Sequence, residues 1–216
     1  MTATSDVLGL FDRGRDALLV VDLQPDFMPG GPLAVAGGDE IAAPIGALAR
    51  RFTTVIATQD WHPRGHLSFA SARGRAPFET IELHGAPQTL WPDHCVQGTP
   101  GARLHAALPD KAISLVLRKG TRREVDSYSA FRENVGPDGE RASTGLEALL
   151  HARGIEALWV CGLARDVCVA WSCIDAARAG FRVTLIDSLT RAVDARATLR
   201  TDALLRAAGV VIASEV

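Results

Sequence analysis

The sequence predicts an α/β fold, a three-layer α/β/α sandwich built on a six-stranded, mainly parallel sheet. Three observations predict it. Short β-branched apolar runs alternate with longer stretches of helical period, the signature of βαβ units. The runs are apolar throughout, as strands covered on both faces are, and too short for buried helices. Three of the helical stretches stop at a glycine.

Taken in order, the first strand is residues 17–23, where Ala17-Leu18-Leu19-Val20-Val21 closes on Asp22. A helix over 39–51 leads to the second strand at 53–58, and the third follows at 113–118. A helix over 144–153 ends at Gly154 before the strand at 157–162. A helix over 166–179 ends at Gly180 before the strand at 182–186. A helix over 194–208 ends at Gly209 before the last strand, 210–213. The stretch at about 61–108 holds most of the remaining Gly, Pro and His and little periodicity. It is too long for an idle connector in a compact domain, so it reads as a functional insertion. No repeat or linker composition divides the chain, and 1–216 reads as one domain.

Composition removes several function classes. With 23 Lys and Arg against 25 Asp and Glu, the formal net charge is -2, and no basic face is left for a nucleic-acid backbone. No apolar run reaches the roughly 18 residues of a membrane span, and residues 1–16 lack the charged and apolar regions of a signal peptide. Four cysteines in a chain this long make no disulfide framework, and three of them, Cys161, Cys168 and Cys173, crowd one apolar segment. These features point to a cytoplasmic protein with reduced thiols and without nucleic-acid or membrane partners.

In an open parallel sheet the ligand site lies beyond the carboxyl ends of the strands. Cys168 falls at a predicted helix start, where the helix dipole favours a thiolate and free N–H groups can face an oxyanion. Cys161 and Cys173 read as buried structural thiols. Asp22 is either a turn carboxylate or a general base beside that thiol, and Lys119 is either a solvated turn lysine or the cation that tunes both. Asp60-x-His62 places two side chains on one side of an extended segment, His66 and His94 follow in the long stretch, and one carboxylate with two imidazoles from these makes an O/N/N metal set suited to Zn, Fe or Mn. His84, His105 and His151 read as loop-bridging residues.

Five ordered motifs make a resemblance. They are Val20-Val21-Asp22-Leu23-Gln24-Pro25-Asp26-Phe27, Thr58-Gln59-Asp60-Trp61-His62-Pro63, Trp91-Pro92-Asp93-His94-Cys95-Val96, Lys119-Gly120 with Asp126-Ser127-Tyr128-Ser129-Ala130-Phe131, and Cys161-Gly162-Leu163-Ala164 ahead of Cys168. From Ala17 to Ala213 the chain resembles the nicotinamidases (pyrazinamidases) of the isochorismatase-like cysteine hydrolase superfamily. The resemblance implies a strand order 3-2-1-4-5-6 and a catalytic triad of Asp22, Lys119 and Cys168. It also implies an oxyanion hole from the amides of Ala164 and Cys168, with a cis peptide at Leu163–Ala164. One divalent ion, zinc before iron or manganese, would sit on Asp60, His62 and His94, with His66 a further candidate in the 61–108 insertion. Phe27 and Trp91 would sandwich a pyridine ring whose nitrogen binds the metal. The implied reaction is hydrolysis of nicotinamide, and of pyrazinamide with it, to the acid and ammonia through a cysteine thioester, in NAD salvage. Relatives range from monomers to larger assemblies, which leaves a homo-oligomer open.

Related N-carbamoyl amidases share the triad but lack the two metal motifs, and isochorismatases replace the cysteine. A ligand-binding protein that kept the fold and a thiol redox sensor using Cys168 are the alternatives outside catalysis. Two positions depart from the pattern. Arg165 stands where Thr or Ser is usual and would narrow or recharge the pocket, and Val167 precedes the cysteine where aromatic or polar residues are common.

Overall fold

The computed structural model describes residues 11–214. The first apolar run forms strand β1 (Asp16–Val21), and helix α1 (Ala42–Ala49) carries the chain to β2 (Thr54–Asp60). Two short strands, β3 (Thr80–Leu83) and β4 (Ala86–Thr89), precede β5 (Leu115–Lys119). Two more, β6 (Arg132–Val135) and β7 (Arg141–Ser143), follow it. The rest alternates as α2 (Leu146–Ala152), β8 (Ala157–Leu163), α3 (Ala170–Arg178), β9 (Arg182–Arg191), α4 (Thr198–Ala207) and β10 (Val211–Ala213).

Six strands make one sheet in the order β5-β2-β1-β8-β9-β10, and every neighbouring pair is parallel. Numbered among themselves they run 3-2-1-4-5-6, as the resemblance implied, and the sheet is wholly rather than mainly parallel. Every residue of the central pair, β1 and β8, is buried, which is why both read as unbroken apolar runs. From β1 the chain crosses to β2 on one side, whereas β8, β9 and β10 extend the other. Right-handed crossovers therefore place α1 on one face of the sheet and α3 and α4 on the opposite one.

Several bounds differ from the sequence reading, each for a local reason. The stretch expected as one helix over 166–179 divides into a π-helical turn, Arg165–Val169, and α3. The stretch at 194–208 opens with a 3-10 turn in which the Asp194 carboxylate accepts the Arg196 N–H at 3.0 Å. β9 runs on to Arg191 past a register shift against β8 between Val160 and Gly162. The hairpins β3–β4 and β6–β7 were not foreseen, because strands of three or four residues whose side chains are nearly all half-buried or exposed carry no usable alternation. Among the described residues no helix is long and apolar enough to cross a membrane. The N-terminal stretch read above for targeting signals lies, through residue 10, outside the described residues.

One glycine fixes how closely β1 and β8 approach. Gly162 has φ 111°, and a Cβ built on it would stand 2.0 Å from the Val21 carbonyl oxygen. Gly162→Ala is therefore expected to destabilise the fold by about 3 kcal/mol, combining overpacking with a disfavoured φ. Urea unfolding checks this, and a midpoint equal to wild type would contradict the close approach.

Candidate active site

The sheet order reverses between β1 and β8, and this opens a crevice at the carboxyl ends of the strands. Asp22 directly follows β1, Asp60 ends β2, Lys119 ends β5, and Ala164 to Cys168 follow β8. All five named side chains are buried. Asp22 has φ 45°, a sharp turn out of the strand that an aspartate tolerates better than most residues.

Lys119 Nζ lies 2.8 Å from Asp22 Oδ2 and 2.5 Å from Asp60 Oδ1. It also donates to the Ser127 carbonyl at 3.0 Å and to Cys168 Sγ at 3.4 Å. The structure thus brings Asp22, Lys119 and Cys168 together. Thr58 Oγ1 donates to Asp22 Oδ1 at 2.6 Å and accepts the Asp22 N–H at 3.0 Å. Asp22 Oδ2, although close to Nζ, accepts no well-aligned hydrogen bond. It is the carboxylate oxygen that faces the ammonium without an aligned donor.

Burial works against every charge in this group, and the neighbours decide each outcome. Burial raises the Asp22 carboxyl and outweighs the opposing pull of Lys119. For Asp60 burial is also the largest influence, but Lys119 and His62 together hold it well below the usual carboxylate range. Burial would lower Lys119, yet the charges of Asp22, Asp60 and Cys168 keep it well above its ordinary value, so it stays an ammonium. Burial, with Asp22 and Asp60 adding to it and Lys119 opposing, pushes the Cys168 thiol well above its ordinary value. This corrects the expectation of a resting thiolate. The helix-dipole argument omitted two carboxylates within 4.8 Å of the sulfur.

The second cluster is Asp60, His62 and His94. Asp60 Oδ2 lies 3.5 Å from His62 Nε2 and 3.6 Å from His94 Nε2. The other ring nitrogens face carbonyls, His62 Nδ1 at 3.0 Å from Gly120 O and His94 Nδ1 at 2.7 Å from Pro92 O. A ring that donates through Nδ1 presents a bare lone pair at Nε2. Three potential ligand atoms therefore lie close to one another, an arrangement that could hold a cation. Ligands held tetrahedrally at about 2.1 Å stand about 3.4 Å apart, so the spacing fits a divalent ion. Gly120 is required here, since a Cβ on it would stand 2.3 Å from the His62 ring.

His66 is not brought into that set. Its Nδ1 accepts from the Ser68 backbone N–H at 3.3 Å, which leaves Nε2–H to donate to the Val125 carbonyl at 3.2 Å. Both nitrogens are engaged, and the ring packs 4.4 Å from that of His62. His84 reaches the Glu124 carbonyl, His105 accepts the Ala107 N–H, and His151 stacks on Phe181.

Cys168 and the trio of Asp60, His62 and His94 line one cleft, walled by Phe27, Leu33, Trp91, Tyr128, Val167 and Val193, while Asp22 and Lys119 lie behind the sulfur and do not line it. Phe27 and Trp91 both line the cleft, and the Leu163–Ala164 peptide is cis. Leu33, Asp126, Tyr128 and Val193 line the cleft without having been singled out. Asp126 and Tyr128 lay inside a quoted motif, so that motif was their only signal. Val167 does shape the cleft, but Arg165 does not. Its guanidinium turns away to Asp187 at 2.6 Å, Asp202 at 2.8 Å and Thr190 at 2.9 Å. The expectation that it recharges the pocket is thereby corrected: two carboxylates behind the turn claim the cation.

A doubly wound sheet whose strand ends gather a carboxylate, an ammonium and a thiol beside an O/N/N trio has the makings of a cysteine-hydrolase centre next to a candidate cation site. The chain belongs to the isochorismatase family, whose domain model matches residues 16–215. It is 49% identical over 185 residues to the nicotinamidase of Acinetobacter baylyi, covering 85% of each chain. Among solved structures it is similar to the nicotinamidase/pyrazinamidase of Acinetobacter baumanii, with a TM-score of 0.86 and 44% identity over 92% of this chain and 95% of that one. It is also similar to the pyrazinamidase of Pyrococcus horikoshii in complex with zinc, with a TM-score of 0.75 and 32% identity over 92% of this chain and 98% of that one.

Because Arg165 points away from the cleft, Arg165→Met should lower stability by about 1–2 kcal/mol, since water can still reach the Asp187 and Asp202 carboxylates it leaves behind. It should leave the KM of the cleft's substrate unchanged. A large KM change at unaltered Tm would place the guanidinium in the pocket instead.

Proposed function

We infer that this protein is an amidohydrolase of pyridine carboxamides, converting nicotinamide, and pyrazinamide with it, to the acid and ammonia. One observation carries the reading: the buried Cys168 thiol and the O/N/N trio of Asp60, His62 and His94 line a single aromatic cleft, with the Lys119 ammonium and the Asp22 carboxylate packed behind the sulfur.

The ring lies between Phe27 and Trp91, which places its carboxamide at Cys168. The Cys168 thiol gives its proton to Asp22 Oδ2 as sulfur attacks the carboxamide carbon. The amides of Ala164 and Cys168 take the developing oxyanion, the role that free N–H groups fill best in a dry site. Asp22 passes the proton to the departing nitrogen, and ammonia leaves behind a thioester. Water then enters, Asp22 removes its proton, hydroxide adds to the thioester carbon, and the thiol and the acid are released. Lys119 stays charged throughout and steadies whichever neighbour is anionic. Asp60, His62 and His94 would hold one divalent ion, zinc before iron or manganese, which supplies a Lewis-acid anchor for the ring nitrogen and positions water. His66 buttresses His62 from behind. The chemistry needs an unoxidised Cys168, which suits a cytoplasmic setting and a place in NAD salvage.

The experiment is ammonia release from a panel of nicotinamide, pyrazinamide and benzamide. Nicotinamide and pyrazinamide should turn over, while benzamide, without a ring nitrogen, should be slower by at least about tenfold. Cys168→Ala should abolish turnover and leave bound metal, read by elemental analysis, at the wild-type level. Chelation should remove activity toward nicotinamide, and divalent zinc should restore it. Retained turnover in Cys168→Ala would overturn the nucleophile assignment, and indifference to chelation would overturn the metal role.

A further inference from the structure

The part of the cleft wall formed by Trp91, Asp126 and Tyr128 is braced by a residue that does not line it. Gln88 is the only buried residue of the β3–β4 hairpin, whose other positions are exposed or half-buried. Its Nε2 lies 2.8 Å from each of three acceptors, the Thr89 carbonyl, Asp126 Oδ2 and the Tyr128 hydroxyl. Its Oε1 accepts from Asn134 Nδ2 at 3.3 Å, and Asn134 Oδ1 in turn accepts the Tyr128 N–H at 3.2 Å. Trp91 Nε1 donates to the same Tyr128 hydroxyl at 3.2 Å. One amide thus joins the hairpin, the 126–128 segment and β6, three residues before Trp91.

A hairpin of two four-residue strands has little stability of its own and must be docked by what it buries. An apolar side chain at position 88 would dock it by burial alone. It would also strip Asp126 Oδ2 of its donor and loosen the hydroxyl on which the Trp91 indole rests. Buried polar networks of this kind fix geometry more than they add stability. The groups fixed here, Asp126, Tyr128 and Trp91, all line the cleft.

We propose that Gln88 is a positioning residue for the ring-binding wall, holding Tyr128 and Asp126 so that Trp91 stands against the substrate ring. This rests on the carboxamide reading of the cleft. It makes Gln88 a determinant of ring affinity and not of the chemical step, because no atom of Gln88 faces Cys168, Asp22 or Lys119.

The test measures nicotinamide affinity by calorimetry in the Cys168→Ala background, where no turnover intervenes. Adding Gln88→Leu should weaken Kd about tenfold, about 1.4 kcal/mol. In the active protein the same substitution should raise KM by a similar factor and hold kcat within about threefold. Combined with Tyr128→Phe, its effect on Kd should fall well short of the sum, since both act through one hydroxyl. A folded Gln88→Leu protein with wild-type Kd, whatever its Tm, would overturn the proposal, as would a fall confined to kcat. Should Gln88→Leu not fold, Asn134→Asp keeps the acceptor for the Tyr128 N–H and removes only the donor to Gln88 Oε1. A Kd raised about threefold would then support the proposal, and an unchanged Kd would overturn it. Wild-type protein that neither binds nor hydrolyses nicotinamide would sink the carboxamide reading itself, an outcome distinct from normal binding with an indifferent Gln88.

Discussion

The site depends on one buried ammonium. Two carboxylates withdrawn from water at the ends of β1 and β2 would each cost several kcal/mol if left ionised and unpaired. Lys119 Nζ sits within 2.8 Å of both and donates to a backbone carbonyl and the Cys168 sulfur besides. The ammonium is not shared evenly. Asp60 is held firmly ionised, while burial keeps Asp22 easier to protonate. That inequality gives the two carboxylates different work in the proposed reaction, one as a fixed anion toward the trio and one as a proton carrier toward the thiol.

The sheet makes this possible. Pairing Asp60 with Lys119 across β2 and β5 is a register relation of the parallel ladder, and Asp22 leaves β1 one step beyond the residue paired with Gly162. Groups far apart in sequence meet because four strands end at one edge where the order reverses. The helices supply the cover, and the close β1–β8 approach at Gly162 sets the distance between the carboxylate side and the thiol side.

Much of this was legible in the sequence, and the exceptions share a cause. Strands buried on both faces announce themselves as apolar runs, and chemically loaded residues at their ends announce the site. Gln88, Asp126 and Tyr128 could not be read in this way, because a hydrogen-bond network between a hairpin and a loop has no period. Arg165 was misjudged for a related reason. A cation beside the cysteine in sequence looks like a cation in the pocket, until β9 and α4 supply Asp187 and Asp202 on the other side. His66 sits in the expected stretch, yet a serine two residues on and a distant carbonyl occupy its nitrogens. Sequence spacing can place a ring near a metal site, but only packing decides which of its lone pairs is free.

A thiol held above its ordinary pKa changes how the reaction must begin. A free thiolate would be ready at all times and exposed to oxidation at all times. A protonated thiol beside an unaligned carboxylate oxygen is instead inert until an electrophilic carbon lies close enough for sulfur attack and proton transfer to occur together. Activation then depends on the ring being seated first. The aromatic walls and the residues bracing them therefore bear on the rate at low substrate as much as the triad does, although none of them touches the scissile bond. Positioning and nucleophile generation become a single event, driven by the burial that made the bare sulfur anion unfavourable.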